Sequence, residues 1–185
     1  MGWNLPGTAL EVSAEEMLMV EERLRALFLA GGITLSQVSA ITGLEAYTIQ
    51  NWVKRGFLTS PRQKRYSLRQ LCRILNINML KDALAMEQIC GLMSYINGHL
   101  DDESDDIIDD AELYFMFLGL AIHHRDLQDP AQRDKLLQQS LADYQEPYPG
   151  AGERIRRVLR IMLTAWAAAQ LRQAAEKMVK ELNQQ

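Results

Sequence analysis

Apolar residues recur along most of the chain at three- and four-residue intervals and alternate almost nowhere, so the pattern predicts helices. Met17, Val20, Leu24, Leu27 and Phe28 line one side of a first helix. It opens at Ser13-Ala14-Glu15-Glu16, a capping box in which serine and glutamate side chains satisfy each other's free backbone amides, and it stops at Gly31-Gly32. A second box, Thr34-Leu35-Ser36-Gln37, starts a short helix carrying Val38 and Ile41, closed by Gly43. The next helix runs from about Glu45 to Arg55, with Ile49, Trp52 and Val53 as its inward positions and Gly56 just past its end. A third box, Ser67-Leu68-Arg69-Gln70, launches a helix to about Met79, and another spans Met86 to Asn97, ending at Gly98. Between them, Phe57-Leu58 and Tyr66 are expected to pair as the stems of a hairpin with Pro61 to Arg65 at its tip.

The second half has a different texture. Residues 101 to 112 carry eight acidic side chains, and a strongly apolar helix is expected from Leu113 to His124. Asp129-Pro130 is a cap followed by the favoured first-turn proline, so a helix to about Asp143 follows. Tyr144 to Gly152, with two prolines and two glycines, is a loop, and Glu153 to Leu182 is a long amphipathic helix. The expected fold is mostly all-α: a winged helix-turn-helix with one short β-hairpin wing, followed by a helical bundle. Its divisions are an N-terminal helix (1–32), the winged region (33–98) and a helical C-terminal region (99–185) that serves dimerisation or effector sensing.

Composition narrows the setting. With 48% hydrophobic and 24% charged residues over 185 positions, the chain can bury a real core. Two cysteines, Cys72 and Cys90, are too few for a disulfide framework and too far apart for a metal pair, which suits a reduced cytosol. Neither a secretory signal nor a membrane span is visible: the richest apolar run, Leu113 to Ile122, is about half of what a bilayer needs. A soluble cytoplasmic protein is expected.

A net charge of −4 gives no overall attraction to nucleic acid, so the distribution of charge has to carry that argument. Between Ala46 and Lys81 lie eight cations and no acid across 36 residues. Such density suits a polyanion, because each neutralised phosphate releases condensed counterions. The two short helices around Gly43 have helix-turn-helix proportions. The second leaves Tyr47, Gln50, Asn51 and Lys54 opposite Ile49 and Trp52. Amides there can read adenine with two hydrogen bonds, and lysine can reach guanine or phosphate. Arg55 and the wing residues Arg62, Lys64, Arg65 and Tyr66 are candidates for backbone contact, as are Arg69 and Arg73 one turn apart on the following helix.

The run Leu35-Ser36-Gln37-Val38, Thr42-Gly43-Leu44, Thr48-Ile49-Gln50-Asn51-Trp52-Val53-Lys54-Arg55-Gly56-Phe57-Leu58, Lys64-Arg65-Tyr66-Ser67 and Leu71 resembles the mercury-resistance-regulator (MerR-like) winged helix. More closely, residues 15 to about 122 resemble a family of uncharacterised small Gram-positive bacterial proteins with a MerR-like N-terminal region, described as a domain of unknown function. The resemblance implies that Gln50 stands where an arginine usually touches DNA, and that Lys64 matches an arginine of the wing. It also implies that Tyr66 and Ser67 end the strand and launch the third helix. Asn51-Trp52 replaces a tyrosine pair, the wing is shorter, and Glu45 stands where a serine-type cap is usual.

The remaining features point to structure rather than chemistry. The acidic run lacks the glycine and terminal glutamate spacing of a calcium loop and reads as a solvated linker with helix-start acids, or as a segment that repels or mimics DNA. His123-His124 diverge by about 100° on a helix and do not share a metal easily. Cys72 reads as core packing, with redox sensing the lesser alternative. The last helix is expected either to dimerise or to pack on the chain's own Leu113–Ile122 helix. No Gly-rich phosphate loop, nucleophile elbow or metal-ligand spacing occurs, so no enzyme and no cofactor is expected. The function expected is sequence-specific transcriptional regulation by a homodimer bound to double-stranded DNA. Alternatives are an interaction adaptor on the same scaffold and an excisionase-like architectural factor.

Overall fold

The fold is given by a computed structural model, which describes residues 3–123 and 129–182. In chain order the elements are β1 (Trp3–Asn4), β2 (Glu11–Val12), α1 (Ala14–Met17), α2 (Val20–Leu27), β3 (Ile33–Thr34), α3 (Leu35–Thr42), α4 (Ala46–Lys54), β4 (Arg65–Tyr66), α5 (Leu68–Leu80), α6 (Met86–Asn97), α7 (Asp110–Ala121), α8 (Pro130–Gln139) and α9 (Ala151–Leu182). A single 3-10 turn, Glu103–Asp105, interrupts the acidic run. The mostly helical character expected from the apolar spacing is present, with two small antiparallel β pairs added to it.

All three capping boxes form with both halves of each in place: Ser13 with Glu16, Thr34 with Gln37 and Ser67 with Gln70. They set the starts of α1, α3 and α5 by satisfying amides that have no partner within the helix. The first helix differs from the expected single rod. It breaks at Leu18-Met19 into α1 and α2, and both residues of the break are exposed. The apolar C-terminal helix starts three residues earlier than Leu113, because Asp109 caps it by accepting from the amide of Ala111. The part of the expected helix at His124 lies outside the described residues.

One apolar cluster runs through the molecule from Leu5 to Trp166. Its centre is α5, which is buried almost all round: Leu71, Cys72, Ile74, Leu75, Ile77 and Leu80 show at most 1% exposure. A helix buried on nearly every side needs neighbours on nearly every side. These are α3, α6, α7 and α9. The three segments of the expected division therefore share this core.

The N-terminal hairpin is a further element that the apolar spacing does not announce. β1 and β2 pair with Trp3 opposite Val12, and the chain between them docks on α5 and α7. Tyr114 donates to Pro6 O at 2.8 Å, and Asn78 donates to Gly7 O at 2.8 Å. Gly7 is required here twice over. Its φ is +75°, and a Cβ would lie 2.4 Å from the Leu75 carbonyl oxygen.

Candidate nucleic-acid interface

α3 and α4 meet at Gly43, whose left-handed φ of 71° ends α3 and returns its amide to Ser39 O. Thr42 ties the corner on the buried side by donating to Val38 O at 2.8 Å while its hydroxyl oxygen accepts from the Leu44 amide at 3.2 Å. α4 starts without a side-chain cap at Glu45 and is seated by packing instead, with Ile49 and Trp52 in the core. That seating turns Tyr47, Gln50, Asn51 and Lys54 outward, and Tyr47 is 71% exposed. The four residues singled out in the sequence thus share one solvent face.

The hairpin differs from the expected one. Tyr66 pairs with Ile33 and Arg65 with Thr34, so the strand before α3 takes the place assigned to Phe57-Leu58. Leu58 is a core residue, 3% exposed, and makes no ladder. The physical reason lies in the turn: Arg65 N donates to Arg62 O at 2.9 Å around Gln63 and Lys64, both with positive φ. A two-residue turn of this hand folds the chain back immediately and leaves no strand length for residues 57 and 58 to pair. The result is a compact knuckle that exposes Arg62, Lys64 and Arg65. The Arg65 guanidinium also donates to Gly32 O at 2.9 Å.

Three of the candidate contact residues are placed elsewhere. Tyr66 is 3% exposed and packs in the core, where burial raises its phenol above the usual range; it is a structural residue rather than a surface contact. Arg73 has 8% of its side chain exposed, donates to Phe57 O at 3.0 Å and pairs with the fully buried Asp110 at 3.4 Å. Arg69 retains 19% and faces four carboxylates: Asp106 at 2.5 Å, Glu103 at 3.5 Å, Asp110 at 3.7 Å and Asp109 at 3.8 Å. The expectation that Arg69 and Arg73 face a phosphate backbone is not met in this conformation, where both guanidinium groups face the chain's own carboxylates. Arg55 stays exposed, with its guanidinium 4.7 Å over the Phe57 ring.

Electrostatics at this inner cluster are strained in one direction. Burial pushes the Asp106 carboxyl up to about 6 against the opposing pull of Arg69, and burial also raises Asp110 despite Arg73 and Arg69 beside it. Between the knuckle, the start of α5 and the acidic segment runs an open groove of about 820 Å³, lined by Ser60, Arg62, Arg65, Arg69, Asp101 and Glu103 among others. The pairing of Glu103, Asp106 and Asp110 with Arg69 and Arg73 is the feature of this region that the sequence does not announce. Eight acids following eight cations was the available signal, but the pairing depends on α5 lying against α7.

No group of His, Cys, Asp and Glu residues suited to a metal ion occurs among the described residues. None of their helices is long and apolar enough to cross a membrane. Cys72 is buried, and its thiol is pushed well up by that burial.

Comparison with known proteins places this arrangement in context. The chain is similar to "Uncharacterized protein YkrK" of Bacillus subtilis (strain 168), with 25% identity over 164 residues covering 81% of this chain and 70% of that protein. No solved structure matches. Residues 31–117 match the family described as "Domain of unknown function (DUF1836)", a span that takes in β3, the helix pair, the knuckle, α5 and the acidic segment together.

Proposed function

We propose that the protein is a bacterial transcriptional regulator that binds double-stranded DNA in a sequence-specific way. In this reading α4 enters the major groove, in a winged helix-turn-helix arrangement of MerR-like kind. Gln50 and Asn51 read base edges, and Tyr47, Lys54, Arg55, Arg62, Lys64 and Arg65 hold the backbone. The observation that carries it is exposure: α4 turns two amides and a lysine to solvent, and the knuckle that follows it in the chain exposes three cations, all within a stretch that contains no acid. Lys54, Arg62 and Lys64 lie within 4.0 Å of no carboxylate among the described residues, so their charge is available to a ligand.

A homodimer in the bacterial cytoplasm is part of the reading, since two half-sites multiply the specificity of one short helix. The outer face of α9 supports it. Ile161, Thr164, Ala168, Leu171, Ala175, Met178 and Leu182 recur at alternating spacings of three and four, and all are exposed. That spacing is the seam of a two-helix coil.

The test is selection of purified protein against a randomised duplex pool at two salt concentrations, followed by sequencing. An inverted-repeat motif, lost in Gln50→Ala or Asn51→Ala, supports the reading. Salt-sensitive binding without a motif replaces it with an architectural role. Absence of binding even at low salt removes DNA as the partner.

A further inference from the structure

The acid-free cationic stretch is answered by two acidic elements, the start of α7 with Asp109 and Asp110 and the turn at residues 99–106. The turn is built to hold its own shape. Asp105 accepts from the His99 amide at 2.9 Å, Asp102 accepts from the Ser104 amide and hydroxyl, and Gly98 turns with a φ of +48°. A Cβ at Gly98 would lie 2.0 Å from the Asp105 carboxylate, so a side chain there would displace Asp105 from the His99 amide. The chain is then anchored by Ile107 and Ile108, 5% and 6% exposed, and by the Ile107 amide on Ile96 O. Ahead of that anchor, the charged links between the turn and α5 are those of Glu103 and Asp106 to Arg69.

At Arg69 and Glu103 these two links lie nearer the surface than the pair beneath them, while the Asp106 side chain is 8% exposed. Asp110 and Asp109 of the α7 start also face Arg69, at 3.7 and 3.8 Å. Arg73 and Asp110 lie inside the core at 8% and 1% side-chain exposure and belong to the fold. Arg69 sits at the edge of the groove that also holds Arg62 and Arg65, and Glu103 is 78% exposed. Carboxylate oxygens facing a guanidinium take the acceptor positions that the non-bridging oxygens of a phosphate diester would take.

We infer that the 99–106 turn is an intramolecular competitor for nucleic acid: Glu103 and Asp106 occupy Arg69 in place of a backbone phosphate, and displacing the turn adds Arg69 to the cationic surface made by Arg62, Lys64 and Arg65. The inference rests on the DNA-binding reading above. The family match at residues 31–117 contains both the cationic stretch and the turn, so competitor and target lie within one matched unit.

The experiment is a double-mutant cycle in duplex binding, using full-length wild type, Glu103→Gln/Asp106→Asn, Arg69→Gln and the triple variant across a salt series. The double variant is expected to bind several-fold tighter, with its log K against log salt slope steeper by about 0.9, one additional phosphate contact. Arg69→Gln is expected to change binding little in the wild type and to abolish the gain in the double variant. An equal loss from Arg69→Gln in both backgrounds would mean that the removed acids act only as distant charge, and would overturn the competitor. Failure of all four forms to bind at low salt would overturn the DNA reading and the competitor with it.

A second measurement does not depend on the fold of an Arg69 variant. Arginine-directed modification with phenylglyoxal, read by peptide mass, is expected to spare Arg69 in free wild type and to reach it in Glu103→Gln/Asp106→Asn. Added DNA is expected to protect it again. Equal protection of Arg69 in both free forms would overturn the inference.

Discussion

Two groups of cations lie within 36 residues of one another and meet opposite fates. Lys54, Arg62 and Lys64 stand in solvent, while Arg69 and Arg73, a few residues later, are gathered under the carboxylates of the acidic segment and α7. The difference is one of element rather than of residue type. A cation on a short helix or a two-residue turn has solvent on most sides. A cation on α5 has α7 alongside it, and α7 begins with Asp109 and Asp110. A charge count along the chain therefore overstates the positive surface on offer, and burial decides how much of it is presented.

The largest effect should come from breaking the buried member of the pair. Asp110→Ala leaves Arg73 charged, buried and short of its partner, which typically costs about 3–5 kcal/mol. Chemical denaturation should show the midpoint falling accordingly, whereas Lys54→Ala should stay within about 0.5 kcal/mol of wild type. Equal stability of the two variants would erase the distinction between the groups.

A smaller effect follows from pH. Asp106 is pushed up to about 6 in the folded chain from an ordinary value of 3.8, so the folded state holds its proton more tightly than the unfolded one. Its contribution to stability is then present in full below the unfolded value and is lost as pH rises through about 6. Lowering the pH from 7.5 to 5 should stabilise wild type relative to Asp106→Asn, by on the order of 1 kcal/mol over that interval. The charged groups around it are Arg69 of α5, Asp110 of α7 and Asp105 of its own turn. A pH-independent difference between the two proteins would show that Arg69, and not burial, governs Asp106.

The smallest effect sharpens the exposed side. Lys64 has a φ of 61°, a region that costs a non-glycine residue about 1 kcal/mol and glycine little. Lys64→Gly should raise stability by about 0.5–1 kcal/mol while flattening the salt dependence of DNA binding by about 0.9. Thermal unfolding and a salt titration on one preparation would measure both. A gain in stability without loss of salt dependence would take Lys64 out of the interface.

How much of this was legible in the residues depends on the range over which each feature is decided. Ser13, Thr34, Ser67 and Asp129 act on amides two or three positions away, and each marks its helix start correctly. The outward face of α4 follows from the 3.6-residue period about Ile49 and Trp52. Strands of two residues carry no period, so the partner of Tyr66 was assigned to the adjacent Phe57-Leu58 when it is Ile33, half the region away. The fate of Arg69 and Arg73 is decided by residues about 35 positions distant, across a helix contact with no local signature.

Those long-range closures bear on the order in which the chain assembles. Pro6 meets Tyr114 across 108 positions of sequence, and the Trp3 ring lies 6.1 Å from that of Trp166 on α9. Loops of this length close late, because their entropy must be given up before the contact returns anything. On a ribosome, the β1–β2 hairpin has no surface to dock on until α5 and α7 have emerged, and Trp3 lacks Trp166 until half of α9 has followed. The β1–β2 segment is thus made before α5, α7 and α9 and secured after them, a latch that closes only over a finished interior.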